Sequence, residues 1–161
     1  MHAPTAAAAL VAALAAPLAA ATGTGSTPVA RVLNKCSFPV TVWAVGSSVS
    51  PGYTLGAGGG TFAEGFARDP QTGGRALKVT RAPDGLFNGS PQLIFAYNLD
   101  APNVWYDLSS VFGNALQGSN LVVASDEASC PKIQWPQGSP PAGSQVKVCT
   151  ASRSVTLTLC A

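Results

Sequence analysis

The segment "SVTLTLC", Ser154 to Cys160, carries the clearest period in the chain. Val155, Leu157 and Leu159 alternate with Thr156 and Thr158, the two-residue repeat of a half-buried β-strand rich in residues that suit a pleated surface. Upstream, "QVKVC" (Gln145 to Cys149) repeats the alternation and predicts Val146 and Val148 facing inward. "RALKVTR" (Arg75 to Arg81) sets Ala76, Lys78 and Thr80 against Leu77 and Val79. "LIFAYNL" (Leu93 to Leu99) and "NLVVAS" (Asn120 to Ser125) are more continuously apolar and predict strands covered on both faces. Near the other terminus, "LNKCSFPVTVWAV" (Leu33 to Val45) places a cysteine at the mouth of a strand with Val40 and Val42 in the core. Pro39 cannot donate to a ladder, so this strand starts late or lies on an edge.

Nine such runs are present: 30–34, 37–45, 52–55, 61–67, 75–81, 91–99, 103–109, 120–125 and 145–160, the last holding two strands. Turn-forming clusters separate them, among them "GAGGG" (Gly56 to Gly60), "DPQTGG", "APDGLFNGSP" and "PQGSPPAGS". Nothing has the length, caps or 3.6-residue period of a helix. The pattern predicts an all-β sandwich of about nine to ten short, mostly antiparallel strands, forming a single domain over residues 29–161. "GAGGG" lacks the Lys-Ser/Thr of a phosphate loop and reads as a tight connection needing positive φ. Asn88-Gly89-Ser90 matches a glycosylation sequon but is followed by Pro91, and reads first as a hairpin turn.

The chain has 161 residues, 10% of them charged and 47% apolar, with a net charge of +2. The nine Lys/Arg are scattered, so the footprint of a nucleic-acid binder is missing. Thr5 to Ala21 is an uncharged Ala/Leu/Val run ending in small residues, with Ala19 and Ala21 at the −3 and −1 positions of an A-x-A site. Residues 1–21 therefore read as a secretory signal peptide and 22–28 as a flexible lead-in. No second apolar segment predicts a membrane span. His2 is the one histidine, so the processed chain lacks the commonest general base and metal ligand, and no cofactor or metal is expected.

Four cysteines, Cys36, Cys130, Cys149 and Cys160, predict two disulfides in a secreted domain. No C-x-x-C pair supports zinc. Spacing leaves all three pairings open. The placement of Cys36 and Cys160 at strand ends near the two termini favours Cys36–Cys160 with Cys130–Cys149, because a staple there stops edge strands from fraying.

Two segments resemble the thaumatin-like superfamily, and more closely its small fungal secreted branch of yeast-phase-specific or antigenic thaumatin-like proteins. "NKCSFPVTVWAV" is similar to the family's Asn-x-Cys…Thr-Val-Trp-Ala strand. "NVWYDLSSVFGNAL" (Asn103 to Leu116) is similar to its Asp-Phe-Tyr-Asp-Val-Ser…Val-Asp-Gly-Phe-Asn-Leu segment. The resemblance implies a secreted β-sandwich with the first and last cysteines joined; the expected location is extracellular, with the cell wall as the candidate site of association. Larger members have an acidic cleft, associated with β-glucan binding and sometimes weak glucan hydrolysis, built largely from residues in these same segments, and only one of its three carboxylates has a match here. Asp107 matches one carboxylate of that cleft. Phe112 replaces a second, and Ile94, Phe95 and Ala96 occupy the neighbourhood of a third.

A glycosidase needs two carboxyl groups in separate roles. Asp69, Asp84 and Asp100 sit beside Pro or Gly, where turn chemistry explains them, and Asp126 and Glu127 read as surface charge. The expectation is therefore a non-catalytic, monomeric protein of the fungal surface or extracellular space, with cell-wall polysaccharide (β-glucan) as its candidate partner. A surface antigen or effector acting through protein contacts is the alternative, and a weak β-glucan hydrolase is the third reading. The candidate ligand-binding residues are Asp107, Tyr106 and Trp105. Because Trp105 and Tyr106 are neighbours on a strand they point to opposite faces, so one of them is exposed.

Overall fold

The computed structural model describes residues 27–161; residues 1–21, expected to be a signal peptide, and most of the expected lead-in lie outside the described residues. Eleven strands run in chain order: β1 (Val29–Asn34), β2 (Val40–Val45), β3 (Tyr53–Leu55), β4 (Gly60–Gly65), β5 (Arg75–Thr80), β6 (Gln92–Asp100), β7 (Asn103–Val111), β8 (Leu121–Ser125), β9 (Ile133–Trp135), β10 (Lys147–Thr150) and β11 (Val155–Leu159). They form a five-stranded sheet ordered β4-β1-β11-β8-β9 and a six-stranded sheet ordered β10-β7-β6-β5-β2-β3. Among the described residues there is no helix, hence none long and apolar enough to cross a membrane. The all-β sandwich expected from the alternating patterns is the fold observed.

The inner faces close over one core. Val155, Leu157 and Leu159 of β11 are fully buried there, as their alternation predicts, with Val32, Leu77, Phe95, Leu108, Leu121 and Trp135. β1 and β11 run parallel, with Asn34 opposite Leu159. Their ends therefore reach one place together, and Cys36 and Cys160, just beyond them, form one disulfide. Cys130 follows β8 of the smaller sheet and Cys149 lies on β10 of the larger, so the second disulfide ties one sheet to the other. Beside it the Tyr106 hydroxyl donates to the carbonyl of Pro131 at 2.5 Å.

The buried side chain of Asn34 organises the β1–β2 turn. Its Nδ2 donates to the carbonyls of Phe38, Leu55 and Gly56, and its Oδ1 accepts from the Cys36 backbone N–H. The β2 ladder begins at Val40, between β3 and β5, so Pro39 marks a late start and not an edge. Gly58 and Gly59 have φ of 71° and 145°, the positive values expected of "GAGGG". Asn88 lies in a turn, its Oδ1 accepting from the backbone and hydroxyl of Ser90.

Three expectations are corrected. "QVKVC" faces the other way: Cys149 packs on the core, while Val146 and Val148 are 48% and 37% exposed. β6 and β8 are not covered on both faces, since Ile94, Ala96 and Val122 alternate as half-buried positions on surfaces with no third layer. Finally, "IQW" forms β9, an additional strand beyond the nine to ten expected, with Trp135 fully buried and its Nε1 donating to Gln145 Oε1 at 2.9 Å.

Candidate functional site on the outer face of the larger sheet

Strand register builds the site. Val45, Ala76, Ala96 and Asp107 stand opposite one another across β2, β5, β6 and β7. The next outward-facing row is Asn98, Trp105 and Val148 on β6, β7 and β10. The small side chains of Ala76 and Ala96 leave a trough between larger neighbours. The result is a cavity of about 450 Å³, with Val45 and the two alanines among its lining, Trp105 and Val146 beside them, and Asp107, Asn98 and Thr72 as side-chain polar groups.

Trp105 is 44% exposed and Tyr106 only 1%. Strand alternation thus gives Trp105 to the cavity and sends the Tyr106 ring to the core, its hydroxyl spent on Pro131. Tyr106 therefore borders the cavity while its side chain faces the core, and burial pushes its hydroxyl pKa up. The other aromatic candidates form no exposed row. Trp43 and Tyr97 are buried, and Tyr53 packs against Phe62 at 5.0 Å between ring centroids.

Asp107 is half-buried, and its Oδ1 is sealed from solvent with no hydrogen-bond partner. Desolvation raises its pKa, opposed by the backbone N–H of Ala96. Among the described residues no Lys or Arg lies within ion-pair distance of it. Arg75, which also lines the cavity, is already engaged. Its Nε and Nη2 donate to the two carboxylate oxygens of Glu64 at 2.9 and 2.8 Å, a bidentate pair that holds the guanidinium charged. The Tyr97 hydroxyl donates to the same Glu64 at 2.7 Å, and its pKa lies well above the ordinary tyrosine value, first through burial and then through that hydrogen bond.

The rim is set by Asp69, which is buried. Ser47 donates to Oδ2 through its backbone N–H at 2.8 Å and its hydroxyl at 2.9 Å, while the N–H groups of Gln71 and Thr72 donate to Oδ1. These bonds, the Ser47 backbone N–H foremost, hold its pKa far below the carboxylate range. Turn chemistry is therefore half of its role; it also clamps the β2–β3 loop against the β4–β5 loop. A Cβ on Gly46 would stand 2.3 Å from Asp69 Oδ2, so the clamp needs glycine at this rim position. Gly46, Asp69 and Thr72 carry no motif that marks them as rim residues in the sequence.

Chemically, the cavity offers one carboxylate, one half-exposed indole, the polar side chains of Asn98 and Thr72, the Glu64-paired guanidinium of Arg75 and an apolar floor. Ala96 lies in that floor, within the neighbourhood where the resemblance places another carboxylate. Phe112 is 64% exposed in the turn after β7 and supplies no acid.

The family model of Bys1, the Blastomyces yeast-phase-specific protein, matches residues 13–161, and the chain belongs to this family. It is 30% identical over 133 residues to an antigenic thaumatin-like protein of Arthroderma benhamiae, covering 83% of this chain and 66% of that protein. It is 29% identical over 139 residues to the secreted thaumatin-like protein calA of Emericella nidulans, covering 80% of this chain and 78% of the relative. The solved structure of the protein elicitor MoHrip2 from Magnaporthe oryzae matches with a TM-score of 0.68 and 27% identity, over 84% of this chain and all of that one. The protein is thus a fungal thaumatin-like protein of the secreted kind.

Proposed function

We propose that the protein is a non-catalytic binder of cell-wall polysaccharide, taking a sugar chain in the cavity between Trp105 and Asp107. The observation that carries this is the half-exposed Trp105 indole beside a carboxylate, above a floor of two alanines. An indole face suits the apolar C–H face of a pyranose, and a small number of polar groups then fixes the ring's orientation. The absence of a second carboxylate from the residues lining the cavity supports binding over hydrolysis, which needs an acid and a base or nucleophile about 5–10 Å apart. β-Glucan is the first candidate, on the family resemblance. Action through protein contacts is the second reading, favoured by the likeness to a protein elicitor.

Co-sedimentation with insoluble β-glucan, chitin and cellulose tests the proposal. Retention on at least one is expected, with Trp105→Ala weakening it about tenfold, the order of an aromatic stacking contact. Retention on none of the three sinks polysaccharide binding and leaves the protein-contact reading.

A further inference from the structure

We infer that the sugar filling this cavity is a cationic one: a 2-amino-2-deoxyhexose unit with a free ammonium group, as in de-N-acetylated chitin, set against Asp107 with its ring on Trp105. This rests on the polysaccharide reading above and narrows its substrate.

Three features of the site point there. Asp107 is a carboxyl without a counter-ion: among the described residues no cation lies within ion-pair distance, and Arg75 is committed to Glu64. Its Oδ1 is sealed from solvent and finds no donor within the protein, so the group meets the cavity through the rest of its carboxyl with its charge undercompensated by the fold. A half-buried carboxylate in that position is stabilised most by a ligand carrying a positive charge. A neutral hydroxyl supplies one hydrogen bond and leaves the charge uncompensated, whereas an ammonium supplies three donors and the charge together. The exposed face of Trp105 adds attraction for a cation close to it. The volume of about 450 Å³ is that of a small-ligand site and suits one or two sugar rings.

N-acetylation removes the charge and adds bulk, so the site distinguishes amine from amide. The net charge of +2 works in favour of this discrimination. A positively charged protein has no general attraction for a polycation, so preference for one reports the local carboxylate.

Calorimetric titration with four soluble ligands provides the test: a glucosamine tetramer, its fully N-acetylated counterpart, a β-1,3-linked glucose tetramer, and Nα-acetyl-lysine amide. The glucosamine tetramer is expected to bind at least tenfold tighter than each of the others. Asp107→Asn, which is isosteric, should bring it down to the level of the neutral tetramers. Trp105→Phe should retain the preference at lower affinity. Equal or tighter binding of a neutral tetramer overturns the amino-sugar assignment while leaving polysaccharide binding in place. The same holds for a preference that survives Asp107→Asn. Lysine amide binding as tightly as the amino sugar assigns the site to a protein amine instead. Binding of none of the four, together with no retention on insoluble polysaccharide, overturns both readings.

Discussion

Asp107 costs the fold something in its charged form. Its pKa is raised by desolvation. A carboxyl whose folded pKa exceeds its unfolded value favours the native state fully only below the unfolded pKa, and that contribution is lost as pH rises through the folded pKa. Asp107→Asn is therefore expected to raise the melting temperature at pH 7, with the difference shrinking to nothing near pH 3, where the unfolded carboxyl is also protonated. Paired thermal scans across that range check this, and a lower melting temperature for the variant at pH 7 contradicts it. Asp69 behaves oppositely: its depressed pKa makes it a stabiliser above the ordinary carboxylate range and a source of acid lability below it. At this scale the sequence told which side chains share a face and not always which face is inside. Trp105 and Tyr106 had to part, and they did. The alternation predicts Val146 and Val148 inward, yet Cys149, directly after Val148, takes the core side. A period of two leaves the choice between faces open, and here the disulfide makes it.

Long strands were legible as elements because alternation over five or more residues is a strong signal. β9 was not, because a three-residue strand set between Pro131 and Pro136 shows too little of any period. Its weight in the core is nonetheless large: Trp135 is fully buried, and its indole N–H is satisfied by Gln145 in the segment leading to β10. Trp135→Ala is expected to cost roughly 3–5 kcal/mol in denaturant unfolding, the range for removing a large core aromatic. Trp135→Phe should cost less, losing the Gln145 hydrogen bond but keeping most of the packing. A cost below about 1 kcal/mol for Trp135→Ala would place β9 outside the cooperative core. The same element scale explains why "LIFAYNL" misled. Its apolar outward positions do not meet another layer; Ala96 is small and apolar because it lies in the floor of a cavity.

Across the whole molecule, each pair of distant parts is joined by a specific device. Cys36–Cys160 closes a loop of 124 residues and Cys130–Cys149 one of 19. Chain entropy makes these worth about 5 and 3 kcal/mol respectively. On another side, the Glu64–Arg75–Tyr97 cluster links β4 of the smaller sheet to β5 and β6 of the larger. The fold class and the family were legible before the structure, from strand patterns, cysteines and two motifs. The site was legible only at Trp105 and Asp107, where the motif lies. Its floor and rim come from β2, β5, β6 and the two loops that Asp69 clamps, and only strand register brings them together. The central claim is that sugar binds on this outer face. Titrating ¹⁵N-labelled protein with soluble β-glucan and glucosamine oligosaccharides tests it most directly by nuclear magnetic resonance. Shifts are expected to concentrate at the Trp105 indole N–H and the amides of Ala76, Ala96 and Asn98. Shifts confined to the loops of the exposed Phe87 and Phe112, or to the five-stranded sheet, would contradict it.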